Sequence, residues 1–144
     1  YHQQYFEREV LPRLAQMPNA IFVSSPSSEQ KRALLRQSRA VLIMSQVDET
    51  SSLVAMEAAA SGTPVIASRR GALPEILREG VAGFLVDEVE EAVEALKRIE
   101  TIDPPDCAAH AERNFSSSSM ADGYEKIYAD LLWQKFPLPL LTFG

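Results

Sequence analysis

The sequence contains a single cysteine, Cys107, among its 144 residues. One thiol cannot form an intramolecular disulfide, which argues against a disulfide-stapled secreted scaffold and fits the reducing cytoplasm. Long apolar runs are also missing, since none approaches the roughly 18 residues of a membrane span, and a cytoplasmic protein without a membrane span is expected. Basic residues are outnumbered, with 14 lysines and arginines against 20 acidic residues and a net charge of -6. This balance argues against a nucleic-acid partner.

A glycine-rich dinucleotide motif is absent as well. No G-x-G-x-x-G follows any apolar run, which argues against a nicotinamide-dependent dehydrogenase. Candidate metal ligands are equally sparse. Cys107 and His110 lie three positions apart, but two ligands are too few to hold a metal ion. We therefore expect neither a cofactor nor a metal.

The most informative stretch of the sequence is residues 41–71. An apolar segment, 41–44, precedes a polar loop, 45–52, and then a segment, 53–60, in which seven of eight residues are apolar. A glycine follows that segment, and a second apolar run occupies residues 64–67. This order predicts a strand, a helix and a second strand, which together form the right-handed βαβ unit of a parallel sheet.

Strand and helix patterns alternate on both sides of this unit. Further helices are predicted at 1–14, 27–36, 89–99, 106–113 and 117–134, a short helix within 71–77, and further strands at 20–23 and 84–86. Such alternation predicts a Rossmann-like three-layer α/β/α fold with a parallel sheet. We assign residues 1–136 to one domain and residues 137–144 to an apolar, proline-broken tail.

Apolar stripes predict which side of two helices faces the core. In the helix at 89–99 the stripe is Val89, Val93, Leu96 and Ile99. In the last helix it is Met120, Tyr124, Ile127, Tyr128, Leu131 and Leu132. A stripe of this kind is more often core than a ligand site.

Glu57 is the one charged residue in the apolar helix at 53–60. An ionised carboxylate removed from water costs several kcal/mol unless a partner compensates it. Two explanations stay open at this point. The carboxylate accepts hydrogen bonds from hydroxyls of a ligand, or a neighbouring arginine or backbone amide satisfies it within the fold.

The loop before this helix favours an anionic ligand. Thr50, Ser51 and Ser52 are good N-caps, and the free amides of a first helical turn carry a partial positive charge that suits phosphate. Glu49 lies in the same loop, eight positions before Glu57. A helix end suited to phosphate and flanked by two carboxylates is suited to a sugar nucleotide, which has hydroxyls on both sides of a diphosphate.

Residues 49–77 carry a longer pattern. Glu49 and Glu57 are separated by seven residues and followed by the segments AAASGTPVIAS and GALPEIL, with GFLV at 83–86. This pattern resembles the nucleotide-sugar site of family 4 glycosyltransferases, also called glycosyl transferase group 1, which are retaining enzymes of the two-domain GT-B fold. The similar part is their C-terminal domain. The pattern is long, and so it is more specific than a lone glycine motif.

The resemblance implies a role for each matching residue. Glu57 would hold the ribose hydroxyls, and Glu49 would lie near the donor sugar as the candidate catalytic residue. Gly71 and Ala72 would contact the sugar through their backbone.

Phosphate contacts are also implied. They would come from the backbone amides of Thr50, Ser51 and Ser52. Position at the carboxyl end of the second strand, rather than the resemblance, makes Arg69 and Arg70 candidates for contact with the donor phosphate or the acceptor, and loop charges with no ligand are the alternative. Many family members have Gly-Phe-Gly or Pro-Phe-Gly where this chain has Thr-Ser-Ser, so the loop has less backbone freedom here.

By resemblance, the function is the retaining transfer of a hexosyl group from a UDP-, GDP- or ADP-sugar to an acceptor hydroxyl, with no metal. An amino-terminal acceptor domain would be the missing partner, because none precedes Tyr1, and we expect little activity without it. Two alternatives remain: a sugar-nucleotide epimerase of GT-B architecture and a non-catalytic nucleotide-binding or assembly module. Self-association of the chain through uncovered surface is also predicted.

Overall fold

The computed structural model describes residues 2–135, and the chain divides between Lys31 and Arg32 into two compact units. The predicted tail, 137–144, lies outside the described residues, and the assignment of residues 1–136 to one domain stays a prediction. Among the described helices, none is both long and apolar enough to span a membrane.

The first unit is helical from His2 to Ala15. It contains α1 (His2–Tyr5), a π-helical turn (Phe6–Val10) and α2 (Leu11–Ala15), which confirms the predicted helix. The strand predicted at 20–23 is not formed, and Ile21 is 88% exposed. Because the described part of this unit, residues 2–31, contains no strand to pair with it, the apolar run has no ladder of hydrogen bonds.

A capping box begins the next helix, as the sequence predicts. The Ser27 amide donates to Gln30 Oε1 at 2.9 Å, and the Gln30 amide donates to Ser27 Oγ at 3.2 Å. These reciprocal bonds satisfy two amides at the start of α3 (Ser28–Gln37).

The second unit contains the sheet. Its remaining elements are β1 (Val41–Ile43), α4 (Leu53–Ala60), β2 (Val65–Ser68), α5 (Leu73–Ile76), β3 (Gly83–Val86), α6 (Val89–Lys97), a 3-10 turn (Ile99–Thr101), α7 (Pro104–Phe115) and α8 (Ser117–Lys135). Within residues 2–135 the sheet has three parallel strands in the order β1-β2-β3, and Val65 of the central strand pairs with Val41 on one side and Gly83 on the other. The predicted Rossmann-like α/β fold is therefore confirmed.

Small residues bring the layers close together. All four residues of β2 are buried, and the sides of α4 and α6 that are buried consist of alanines. A Cβ added to Gly83 would overlap the carbonyl oxygen of Val65 on the neighbouring strand. The core is therefore packed without room for larger side chains at these positions.

The core side predicted for the helix at 89–99 is wrong except at Ile99, which lies in the 3-10 turn after α6. Val89, Val93 and Leu96 are 65%, 50% and 38% exposed, whereas Ala92, Ala95 and Ile99 are buried. The alanines pack against the sheet because a short side chain allows the close approach of helix and strand, and this places the larger residues outside.

The apolar stripe of α8 is also exposed rather than buried. Exposure of its members ranges from 49% at Leu131 to 61% at Leu132. Helix α8 adjoins α7, but its stripe is not covered by any element among residues 2–135. The expectation that these residues form core is therefore not met in this chain.

Candidate functional site

Three loops meet at one edge of the sheet because the strands are parallel. The loops after β1, β2 and β3 all leave at the carboxyl ends of their strands, which is where open α/β sheets bind ligands. Ser68, the last residue of β2, is 4% exposed, and its hydroxyl donates to the Ser45 carbonyl at 2.8 Å. This bond fixes the start of the loop after β1 against the end of β2.

Glu49, Gly71 and Ala72, three of the predicted site residues, contact one another. The Ala72 amide donates to the Glu49 carbonyl at 2.8 Å. Gly71 has φ +52°, and a Cβ at this position would overlap the backbone nitrogen and oxygen of Glu49. Only glycine combines this positive φ with such a close approach. The two loops therefore form one packed unit, and Glu49 is half-buried within it.

The predicted phosphate residues lie at the start of α4. Ser52 is the N-cap residue and is buried, while Thr50 and Ser51 are exposed. The Ser52 side chain makes no capping hydrogen bond, contrary to the expected serine cap. The Ser52 side chain therefore leaves unbonded the amides at the amino end of α4, which carry the positive end of the helix dipole.

Glu57 lies one and a half turns farther along α4 and is half-buried rather than fully buried. It lines a cavity of about 330 Å³ between α4 and the end of α7. Leu53, Met56 and Ala60 also line this cavity from α4, and Ala111, Glu112, Phe115 and Ser116 line it from the other side. Leu53, Met56, Glu57 and Ala60 therefore lie on one side of α4. This cavity is a different surface from the contact of Glu49 with Gly71.

The two arginines after β2 have different surroundings. The Arg69 guanidinium donates to the Leu85 carbonyl at 3.2 Å and lies 3.5 Å from Asp87 and 3.9 Å from Glu79. The exposed Arg70 side chain has no hydrogen bond or ion pair with any described residue. Arg70 is therefore the cation at this edge that is not already engaged by carboxylates.

A polar cavity of about 400 Å³ opens beside these arginines. Its lining consists of Asp48, Ser68, Arg69, Arg70, Val86, Asp87 and Glu88. Asp48, Asp87 and Glu88 were not predicted as site residues. The position of Asp87 and Glu88 directly after β3 was the available signal, because carboxyl ends of parallel strands share one edge. The three acidic residues place negative charge beside Arg69 and Arg70 at this edge.

Cys107 and His110, three residues apart on α7, are buried and contact different groups. His110 Nε2 donates to the Ile76 carbonyl at 2.9 Å, and Nδ1 accepts from the Asn114 amide at 3.2 Å. Burial raises the pKa of the Cys107 thiol to about 11. Within residues 2–135 no three potential ligands come together to hold a metal. The bond from His110 to Ile76 was not predicted from the sequence. The position of His110 on the buried side of a helix was the available signal.

Comparisons with known proteins extend this picture. The family model described as "Glycosyl transferases group 1" matches residues 7–115. A D-inositol 3-phosphate glycosyltransferase of Streptomyces griseus is 36% identical in an alignment 118 positions long that covers 73% of this chain and 25% of the relative. An enzyme of the same name from Corynebacterium aurimucosum is 32% identical over 120 residues, covering 78% of this chain and 28% of the relative.

A solved structure shows the same fold. The crystal structure of Anabaena HepE in complex with UDP-glucose superposes with a TM-score of 0.68 at 21% identity, covering 90% of this chain and 35% of that chain. The chain thus spans about a quarter of the length of the curated relatives it matches. Since the family model covers most of the sequence, the chain belongs to the group 1 glycosyl transferases.

Proposed function

We propose that this chain is the donor-binding part of a retaining hexosyltransferase that uses a nucleotide-diphosphate sugar. The observation that carries the proposal is the packing of Gly71 and Ala72 against Glu49 beside the open amino end of α4. It joins a carboxylate, backbone groups and a helix dipole within one edge of the sheet. The carboxylate and the backbone groups suit the hydroxyls of a sugar, and the helix dipole suits the oxygens of a diphosphate.

The amino end of α4 is proposed to bind the diphosphate. Its first-turn amides are not capped by a side chain, and the helix dipole adds the equivalent of about half a positive charge. Thr50 and Ser51, which are exposed, contribute backbone amides and hydroxyls. Arg70 is proposed as the second source of positive charge, in preference to Arg69, because the Arg69 guanidinium already faces Asp87 and Glu79.

Glu57 is proposed to accept hydrogen bonds from the two ribose hydroxyls. It lies five residues beyond Ser52, or about 8 Å along the helix axis at a rise of about 1.5 Å per residue. A nucleoside diphosphate bound at the helix end has its ribose one phosphate away from that end. The partial burial of Glu57 strengthens hydrogen bonds to a neutral hydroxyl relative to a fully exposed carboxylate.

Glu49 is proposed to face the donor sugar and to act at the reacting end. Its backbone is fixed by Ala72 and Gly71, so the side chain is presented from a rigid loop. As the sugar-phosphate bond breaks, negative charge grows on the leaving diphosphate, and preorganised helix amides with Arg70 stabilise it without a metal ion. The acceptor oxygen then bonds to the anomeric carbon from the face that the diphosphate leaves and passes its proton to the departing diphosphate oxygen, which retains the anomeric configuration.

An acceptor-binding domain is proposed as the partner in the complete enzyme. The matched relatives are about four times longer than the aligned segment, and catalysis in a cleft requires a second wall. The 144 residues alone are therefore expected to bind donor and to transfer sugar slowly or not at all.

The test is calorimetric titration of this chain with UDP, GDP, ADP and their glucose conjugates, with and without EDTA. We expect one nucleotide to bind selectively and EDTA to leave its affinity unchanged. Glu57→Gln should lower that affinity about 10- to 100-fold, since hydrogen bonds to a charged group are worth about 1.5–3 kcal/mol.

Glu112→Gln is the matched control. Glu112 lines the same cavity from α7, and its replacement by glutamine removes the same charge as Glu57→Gln. Its affinity should stay within about twofold of the parent chain. An equal loss in both variants would assign the effect to the charge of the cavity and overturn the ribose role of Glu57. Absence of binding by all six compounds would overturn the donor site itself.

A further inference from the structure

Helix α5 is a four-residue connector that is held at both ends. At its amino end the Ala72 amide donates to the Glu49 carbonyl at 2.8 Å. At its carboxyl end the Ile76 carbonyl accepts from His110 Nε2 at 2.9 Å. Leu73 and Ile76, on the side between these bonds, are 0% and 4% exposed. The segment is therefore a short bridge from α7 to the Glu49 loop, buried on the side of Leu73 and Ile76 and exposed at Pro74 and Glu75.

The hydrogen bonds of His110 define its ring orientation. A carbonyl oxygen only accepts, so Nε2 carries the proton that bonds to Ile76. Nδ1 then accepts from the Asn114 side-chain amide at 3.2 Å, and the same amide donates to the His110 carbonyl at 2.7 Å. The Phe115 ring meets the imidazole edge to face, with centroids 5.7 Å apart. The imidazole is thus held from three sides while it donates to α5.

The bond to Ile76 matters because α5 is too short to organise itself. A four-residue helix has almost no internal hydrogen bonds, and the carbonyls of its last turn need outside partners. His110 provides one for Ile76, which is buried. Loss of this donor leaves a buried carbonyl unpaired and frees the carboxyl end of α5 to shift.

We propose that His110 is a positioning residue of the donor site: through α5 it holds Gly71 and Ala72 against Glu49. His110 itself touches neither the loop nor a ligand. Only the nature of the ligand rests on the proposed function, since the mechanical link from α7 to Glu49 stands on the hydrogen bonds alone. Gly71 transmits the constraint because its backbone contacts that of Glu49 without intervening side-chain atoms.

Two substitutions separate positioning from packing. His110→Phe keeps an aromatic ring and removes the donor, whereas His110→Gln replaces Nε2 with an amide nitrogen at similar reach. Cys107→Ala is the matched control, because Cys107 lies three residues earlier on the same buried side of α7 and contacts the Ala82 carbonyl instead of α5. If His110→Phe does not fold, Asn114→Ala, which releases only the ring orientation, takes its place.

The first readout is hydrogen exchange of the Ala72 amide by NMR, which requires no ligand. We expect exchange to be at least tenfold faster in His110→Phe, or about threefold faster in Asn114→Ala. His110→Gln and Cys107→Ala should stay within about twofold of the parent, and the β2 amides should keep their protection in every variant. Unchanged Ala72 exchange in His110→Phe, or equal acceleration in Cys107→Ala, would overturn the inference.

The second readout is the ratio of affinities for the nucleotide that the titration selects and for its glucose conjugate. We expect His110→Phe to weaken the glucose conjugate about tenfold while the affinity for the free nucleotide changes less than twofold, because the displaced loop faces the sugar and not the nucleotide. His110→Gln should restore the ratio. Faster Ala72 exchange in a chain that binds none of the six compounds would support the positioning role and overturn the proposed function. An equal loss for both compounds would overturn positioning of the sugar loop.

Discussion

Helices α7 and α8 are neighbours along the chain, yet α7 buries residues that are small or polar and α8 exposes residues that are large and apolar. Helix α7 buries Cys107, His110 and Ala111. The six members of the apolar stripe of α8 are each about half exposed or more. Helix α7 lies along α4 and also reaches α5, whereas the contacts of α8 are chiefly with α7. Burial therefore follows the surfaces that the chain supplies, not the apolar character of the helix.

The exposed stripe of α8 marks a surface that suits another protein segment. Contiguous apolar surface of this kind is uncommon on monomers and is usually covered by a partner or a further domain. The chain spans about a quarter of its curated relatives. The contrast between α7 and α8 therefore predicts that the apolar stripe of α8 is covered, either by the remainder of such a protein or by self-association of this chain.

The largest effect is expected for Gly83→Ala, in the packed region beneath α7. Gly83 follows Ala82, whose carbonyl Cys107 contacts, and a Cβ here overlaps the Val65 carbonyl on the central strand. The overlap is relieved only if β2 and β3 separate, so we expect Gly83→Ala to lose cooperative folding. Thermal unfolding followed by circular dichroism measures this loss. A transition within a few degrees of the parent would show that the sheet adapts and that the region is less tightly packed than its geometry indicates.

The next effect compares two isoleucines. Ile99 is 2% exposed and Ile127 on α8 is 53% exposed. Ile99→Ala should lower the free energy of unfolding by about 2–5 kcal/mol, because it leaves a cavity. Ile127→Ala should change it by less than about 0.5 kcal/mol, as surface substitutions do. Urea denaturation of both variants at low protein concentration measures the two values.

Sedimentation of the same variants tests self-association. The parent chain should associate as its concentration rises, and Ile127→Asp should reduce this without lowering stability. A large stability loss in Ile127→Ala would mean that the stripe of α8 is covered within the chain. A parent that stays monomeric over a wide concentration range would remove self-association from consideration.

A smaller effect concerns the thiol on α7. Burial raises the pKa of Cys107 from 9.0 to about 11, so the folded state favours the neutral thiol. The resulting stability is fully present below pH 9 and is lost as the pH rises toward 11. Cys107→Ala should therefore flatten the decline of the unfolding free energy over this window. At pH 8 iodoacetamide should modify the native thiol far more slowly than the denatured one, and rapid native alkylation would contradict its burial.

The sequence predicted most of the fold because local signals agreed with the tertiary environment. The capping box of Ser27 and Gln30 and the bounds of helix Leu53–Ala60 were both readable, since each depends on neighbouring residues. The strand predicted at 20–23 does not form. A strand exists only with a partner strand, and none lies within residues 2–31. The buried side of α6 was also missed, since hydrophobicity alone ranks Val93 above the alanines that pack on the sheet.

The residues of the candidate site also fall into two groups, those that a local sequence pattern identifies and those whose role depends on distant parts of the chain. Glu49 and Gly71 were identified from a sequence pattern, and their backbone contact agrees with a shared site. The difference between Arg69 and Arg70 depends on Asp87 and Glu79, which the fold brings from other loops. The His110 bond to Ile76 spans 34 residues and has no local signal. Pairings across the fold were therefore the part that sequence reasoning could not supply.

The smallest effect is a gain, in α8. A Cβ added at Gly123 meets nothing within 4 Å, and its φ is not positive. Alanine is favoured over glycine inside a helix by about 1 kcal/mol, so Gly123→Ala should stabilise α8. The contacts of α8 within residues 2–135 are chiefly with α7, so the gain should appear as slower amide exchange within α8 and not as a higher global unfolding temperature. A rise in the temperature of the main transition would instead show that α8 unfolds together with the sheet, which would make its exposed stripe part of the same cooperative unit as α7.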